Sequence, residues 1–526
     1  MKTNIDRLTG LFLFGTALML RMALVSKGPY HGDCLTLAHL ADQTLQTHQI
    51  HALLRSPYPL TTAIGALFIF FFRSLGIQDI VTAVNYMSVF FSSLCVLIFY
   101  HFVKRVWKNI TAIMATIFFI VSPIFLGTSV YGNSQMLSLF FLLLSVYVLC
   151  TCYSQRFSWR YLILSAFFLG LGGACRIQDM VCFFIPLSFF ILIGQPSMNL
   201  KVSGGVSWPL RVGRWVVFVF ISLLPSLIFH LTSYDFGSKK MNFISKNLIF
   251  LSEYPYWLLG RNTFYLYTNF SPLGVLLVLV GIILFIMKKE RHLVFLLLWV
   301  LMPLMFYSLF NFSVPRYLLL SLIPLYVFLG YFFHDFFQRG KMFRIFGLVS
   351  TVFIIFLNMQ FIVPPLHFRH NHSVLIDYAQ WIQSHTEEDA QIFAGDDRLT
   401  IQYYAQRKML QSPISYYEPI ADEALYSFKE KIDGYLVQGI PLYMSESVFA
   451  YDPGLKMRKF LQENYHIALW GQPEYECWHR GLFKHRVFKK KFLKIFPKDK
   501  GQAERPGSDK EVKFNSRKLC VLSLAK

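Results

Sequence analysis

The sequence predicts an all-α polytopic membrane protein of about 11 transmembrane helices plus interfacial helices, followed by a small C-terminal α/β extracytoplasmic domain. Three observations predict this class. Of 526 residues, 55% are hydrophobic, only 15% are charged, 55 are Phe, and the mean hydropathy is +0.46. A water-soluble chain has no interior large enough to hide so much apolar side chain. The apolar residues gather into runs of span length before residue 365, whereas beyond Pro364-Pro365 the chain turns polar and alternates between helix-like and strand-like patterns.

The spans follow in order. Lys2 and Arg7 precede an apolar run from Leu11 to Val25 with no small-residue cleavage site after it, so this is read as a retained first span. Further apolar segments lie near 58–76, 82–102, 110–128, 135–153, 160–177, 179–194, 213–232, 272–288, 292–312, 316–336 and 343–364. If every segment crosses, the basic turns Lys104-Arg105 and Lys288 to Arg291 fall outside, against the cytoplasmic bias of Lys and Arg. Placing 58–76, which opens with Ser56-Pro57-Tyr58-Pro59, in the interface or as a re-entrant segment removes the conflict. Eleven spans then remain, with the N-terminus inside and the C-terminus outside. The eight Cys are scattered, and Cys95, Cys150, Cys175 and Cys182 read as small core hydrophobes.

This topology gathers 27–57, 129–134, 233–271 and everything after 365 on one external face. It divides the chain into a membrane module (1–365, with external loops 27–57 and 233–271), a soluble α/β domain (366–485) and a basic tail (486–526). In the soluble part, 374–386 reads as an amphipathic helix, Gln391 to Ala394 as a strand, 421–435 as a helix, and Pro441 to Met444 and Tyr465 to Trp470 as strands. The tail holds 13 Lys/Arg against 4 Asp/Glu, a net of +9. It is expected to be disordered and to suit anionic lipid headgroups better than nucleic acid.

Chemistry-bearing residues are few. Asp33, in Tyr30-His31-Gly32-Asp33, is an acid just past the first span, where a lipid-borne and a water-soluble substrate meet. Leu37, Ala38, Ala41 and Leu45 make the following segment an amphipathic surface helix, with Asp42 on its solvated side. Two short spans meet at Arg176-Ile177-Gln178-Asp179, and an arginine at membrane depth is expensive unless it pairs or faces water. A snorkelling arginine at a helix end is the plainer alternative.

These pieces carry a resemblance. Gly32-Asp33, Ser56-Pro57-Tyr58-Pro59-Leu60, the glycine-rich run from Gly170 to Gln178, Pro315-Arg316-Tyr317-Leu318-Leu319 and Trp381-Ile382 stand in an order, from about residue 8 to 410, that resembles the GT-C superfamily of membrane glycosyltransferases. The likeness is to the bacterial relatives of protein mannosyltransferases and lipid A aminoarabinose transferases. It implies transfer of a sugar from a polyprenyl-phosphate carrier to a lipid, glycan or protein acceptor at the extracytoplasmic face of a cell membrane, the bacterial inner membrane, with inversion.

Within that resemblance, Asp33 is the expected general base. Arg176, Arg316, Arg261, Lys239 and Lys240 are the expected phosphate-binding cations, because the leaving phosphate gains charge as the glycosidic bond breaks. His31, His51, Tyr58, Asn133, Gln135, Gln178 and Tyr256 are the expected substrate contacts. Where many such enzymes have a second acid after the third span, this chain reads Tyr131-Gly132-Asn133-Ser134-Gln135. No obligatory metal is therefore expected, although a divalent cation stays open. A membrane transporter or flippase of lipid-linked or small substrates, or a non-catalytic assembly protein, is the competing reading.

Overall fold

The computed structural model describes residues 2–52, 58–153, 158–193, 207–233, 255–309, 314–395, 397–410, 413, 420–452, 455–478 and 485–498. These fall into two compact units. One comprises Met1–Ser26 and Leu37–His370; the other comprises Lys27–Thr36 with Asn371–Lys526.

The first unit is helical. Its elements are α1 (Lys2–Met22), most of α2 (Gly32–Thr47), α3 (Pro59–Ser74), α4 (Ile80–Val106), α5 (Asn109–Ile120), α6 (Pro123–Ser129), α7 (Gln135–Tyr147), α8 (Trp159–Cys175), α9 (Ile177–Leu192), α10 (Trp208–Thr232), α11 (Pro255–Met287), α12 (Leu293–Ser308), α13 (Leu319–Gln338) and α14 (Lys341–Asn371). Six described helical stretches are long and apolar enough to cross a membrane, the bent pair α5–α6 makes a seventh, and α3, α8, α9 and α12 are shorter apolar helices. The chain is a multi-pass membrane protein. Leu67, Phe70, Phe71, Phe220, Leu276, Phe346 and Phe353 remain exposed on helices whose opposite faces pack inward, as a lipid-facing surface requires. The interior is aromatic: Trp299 is fully buried between Phe102, Phe183 and Phe295.

Three departures from the sequence expectation have local causes. The segment 110–128 is not one straight helix, because Pro123 cannot donate to the preceding turn and α5 and α6 meet at 59°. Residues 255–270, expected as loop, are the first half of α11, which kinks at Ser271 (φ 61°) just before Pro272. Asn269, just before the kink in α11, satisfies the bend between α5 and α6. Asn269 accepts from Ser122 Oγ (2.9 Å) and from the amide of Ile124 (3.0 Å), and donates to Tyr326, so the backbone freed by the bend is paired without water. Finally, α14 runs through Pro364-Pro365 to Asn371, so the membrane module ends later than residue 365.

Close helix contacts explain the glycine-rich run. A Cβ at Gly170 would lie 2.4 Å from the carbonyl oxygen of Ser222, so glycine is what lets α8 lie against α10. The apolar stripe of α2 is buried as expected at Leu37, Ala38 and Ala41, with Gly65 of α3 against Ala41. Asp42 is not solvated: Arg73 of α3 pairs with it at 2.8 Å and leaves it 14% exposed.

The second unit is a mixed sheet with helices. Its elements are α15 (Val374–His385), β1 (Gln391–Phe393), β2 (Lys408–Leu410), α16 (Asp422–Val437), β3 (Leu442–Ser445), α17 (Lys456–Asn464), β4 (Tyr465–Gly471), β5 (Glu474–Trp478), β6 (His485–Lys489) and β7 (Phe492–Pro497). The sheet order is β2-β1-β3-β7-β4, with β1 parallel to both neighbours and β7 antiparallel to β3 and β4; β5 and β6 form a separate hairpin. The expected disordered tail is therefore wrong from residue 486 to 497. Phe492, Leu493 and Ile495 of β7 are buried within the sheet, and the lysines beside them, Lys490, Lys491 and Lys494, masked the strand in a charge count. Residues 499–526 lie outside the described residues.

Candidate active site

A single extended residue separates α8 from α9, and it is Arg176 (φ −160°, ψ 103°). The break turns its side chain inward, where it is 3% exposed. Its Nε lies 3.1 Å from Asp179 Oδ2, its Nη1 donates to Ser134 Oγ (3.3 Å), and its Nη2 reaches the Tyr307 hydroxyl (3.5 Å). The Asp179 carboxylate also accepts from Ser138 Oγ (2.9 Å) and from Tyr307. The rings of Tyr58 and Tyr317 lie 5.5 Å and 5.2 Å from the guanidinium carbon. A buried guanidinium thus gains one full counter-charge, hydroxyl partners and two aromatic faces, which is what burial at membrane depth demands.

Arg316 joins the same cluster. It sits in a short 3₁₀ turn (Pro315–Leu318) ahead of α13, is 7% exposed, and lies 5.6 Å from the Tyr317 ring, which Arg176 also faces. Tyr317 stacks on Tyr307 at 5.0 Å. Two guanidinium groups and one carboxylate stand together among tyrosines. Gln178, beside the pair, has a buried Oε1 with no hydrogen-bond partner among the described residues, and Gln135 at the start of α7 is buried.

The second unit holds the other candidate. Asp33 lies in the first turn of α2 with its side chain 60% exposed, 3.5 Å from Nδ1 of a buried His31. Its loop is pinned locally, with Cys34 N donating to the His31 carbonyl and Thr36 Oγ1 to that of Gly32.

Several expected contacts are spent elsewhere. Asn133 donates its amide to the carbonyls of Thr128 (2.8 Å) and Tyr131 (2.7 Å) and accepts from the Met136 amide (3.2 Å), so it shapes the turn before α7. This corrects the expectation that it contacts substrate. His51 hydrogen-bonds Thr47 (2.9 Å) and, through its backbone, Thr44 (3.0 Å), folding the chain over the end of α2. Tyr256 is 88% exposed on α11, while Arg261 lies over Trp257 (5.3 Å) and donates to Tyr265 (3.1 Å) on its own helix. Those residues sit on a helix, not in the expected loop. Lys239 and Lys240 lie outside the described residues. Sequence reasoning missed Asp179, although its i,i+3 spacing from Arg176 at a helix start was a usable signal. Tyr307 carried none. Among the described residues, no three of His, Cys, Asp and Glu converge as a metal site would require.

The described fold, apolar helices followed by a small C-terminal α/β unit, is shared with solved structures of other proteins. Residues 59–229 match the family model described as dolichyl-phosphate-mannose-protein mannosyltransferase. Over 109 residues the chain is 32% identical to undecaprenyl phosphate-alpha-4-amino-4-deoxy-L-arabinose arabinosyl transferase 2 of Pseudomonas fluorescens. That match spans 18% of this chain and 19% of the relative. The crystal structure of ArnT from Cupriavidus metallidurans bound to undecaprenyl phosphate superposes with a TM-score of 0.58, at 10% identity, over 92% of this chain and 97% of that one. An Archaeoglobus fulgidus oligosaccharyltransferase gives 0.53 at 12% identity over 88% of this chain and 72% of that one.

Proposed function

We propose that the protein transfers a sugar from a polyprenyl-phosphate-linked donor to an acceptor at the extracytoplasmic face of a bacterial inner membrane, with inversion and with Asp33 as general base. The observation that carries this reading is the buried Arg176–Asp179–Arg316 cluster. A polyprenyl-phosphate sugar is a phosphodiester with one negative charge, and two buried guanidinium groups complement such an anion. As the acceptor oxygen attacks the anomeric carbon, the bond to the phosphate oxygen breaks and that phosphate gains a second negative charge. In this reading Arg316 and Arg176 stabilise it, and Gln178 Oε1, which has no hydrogen-bond partner among the described residues, accepts from a sugar hydroxyl. The acceptor proton passes to the Asp33 carboxylate. The relatives support the donor class, since one is named for an undecaprenyl-phosphate sugar and one was crystallised with undecaprenyl phosphate. No obligatory metal is proposed, and membrane lipids are the remaining partner.

The test uses proteoliposomes supplied with a panel of polyprenyl-phosphate sugars and a membrane extract as acceptor source. Release of polyprenyl phosphate by the wild type, slowed ~10²–10⁴-fold in Asp33→Asn, is the expected result. Equal release by both removes Asp33 from catalysis, and no release from either across the panel refutes the reading.

A further inference from the structure

The ten residues Lys27–Thr36, which include Asp33, fold as one unit with Asn371–Lys526. The contact that does this is specific. Gly28 is buried against the start of α15, where an added Cβ would stand 2.4 Å from Ile376 Cδ1, 3.2 Å from Ile376 Cγ1 and 3.0 Å from Ser373 Oγ. Its φ lies outside the left-handed region, so space beside Ile376 and not backbone strain is what a side chain here would contend with. The neighbouring Lys27 acts on the same helix through space: burial pushes the Asp377 carboxyl up, and the charges of Lys27 and His372 pull it part of the way back. Five residues beyond Gly28 along a pinned loop comes Asp33.

We infer that the C-terminal α/β unit is the positioning element for the Asp33 carboxylate, with Gly28 and Ile376 as positioning residues. This rests on the reading of Asp33 as general base. A proton acceptor must sit within hydrogen-bond reach of the attacking hydroxyl, and a misplacement of about 1 Å costs roughly 10²-fold in rate. The loop takes its placement from α15 through packing, as catalytic groups generally take theirs from supporting side chains.

The experiment compares full-length wild type, Gly28→Val, and Gly28→Val combined with Ile376→Ala in proteoliposomes. It follows polyprenyl phosphate release from the panel of polyprenyl-phosphate sugars, and amide hydrogen exchange of the peptide covering 27–36. Gly28→Val is expected to lower kcat by about 10–10²-fold with the donor KM unchanged, and to speed exchange in the loop. Shortening Ile376 makes room for the new side chain, so the double variant recovers most of both. Unchanged kcat in Gly28→Val, a rise in donor KM instead, or a double variant no better than the single one overturns the inference. If the wild type releases nothing while exchange still responds to both substitutions, the transferase reading has failed and the packing of the loop on α15 stands.

Discussion

Replacing Asp179 by Asn removes the counter-charge of a guanidinium that is 3% exposed, while keeping shape and hydrogen-bonding capacity nearly constant. What is lost is the 3.1 Å ion pair to Arg176 and the charged character of the bonds from Ser138 and Tyr307. Leaving one member of a buried pair uncompensated costs about 3–5 kcal/mol. At 1.4 kcal/mol per decade this is a shift of roughly 10²–10³·⁵ in the folding equilibrium. Exchanging both members for apolar residues of similar size, Arg176→Met with Asp179→Leu, returns most of that loss, because no charge is then desolvated. Thermal unfolding in detergent, followed by tryptophan fluorescence across the four corners of the cycle, measures the coupling. The same double variant separates structure from function: it is expected to fold and yet to bind donor weakly, with a raised KM. A stable Asp179→Asn protein, or single substitutions whose costs simply add, refutes the account of the pair. A double variant with an unaltered donor KM refutes the role of Arg176 at the phosphate.

Two further outcomes follow from the packing and the charges. Gly330→Ala places a Cβ 2.5 Å from the Thr111 carbonyl oxygen between α13 and α5, and overpacking of this kind costs about 1–3 kcal/mol; Gly15→Ala in α1, with nothing within 4 Å, stabilises by up to about 1 kcal/mol. Thermal unfolding of the two variants checks the opposite signs. In the C-terminal unit, burial raises the Asp397 carboxyl, but Lys490 at 2.7 Å and hydrogen bonds from Ser445 and Ser447 outweigh it and hold it below its usual value. A depressed folded value contributes stability that is present above the unfolded value of 3.8 and is lost as pH falls through the folded one. Acid titration of unfolding should therefore show a slope below about pH 4 that Asp397→Asn flattens. An unchanged slope counts against the pair.

Much of the candidate site was legible as residue types and little of it as partnerships. Arg176 stood out because a guanidinium in an apolar segment is costly, and the short spans on either side placed it at a break. Asp33 stood out as an acid in a short loop after an apolar run. Asn133 misled because its position in a polar turn says nothing of whether its amide faces substrate or closes the turn on itself. Asp42 misled for a similar reason: helical periodicity assigns it to the outer face of α2, and only the neighbouring helix supplies Arg73.

The sequence by itself determined that this is a multi-pass helical membrane protein with a terminal α/β unit, and it put α15, α16, β1, β3 and β4 close to where they stand. Hydropathy, helical and strand periodicity, and proline are local properties, and they act within a window of residues. Tertiary structure alone decided the rest. Tyr307 reaches Arg176 across 131 residues of chain, Asn269 repairs the bend at Ser122 across 147, and β7 enters the sheet from within a basic tail. Pairing of a charge, satisfaction of a broken backbone and closure of a sheet depend on which distant segments meet, and no local pattern encodes the partner.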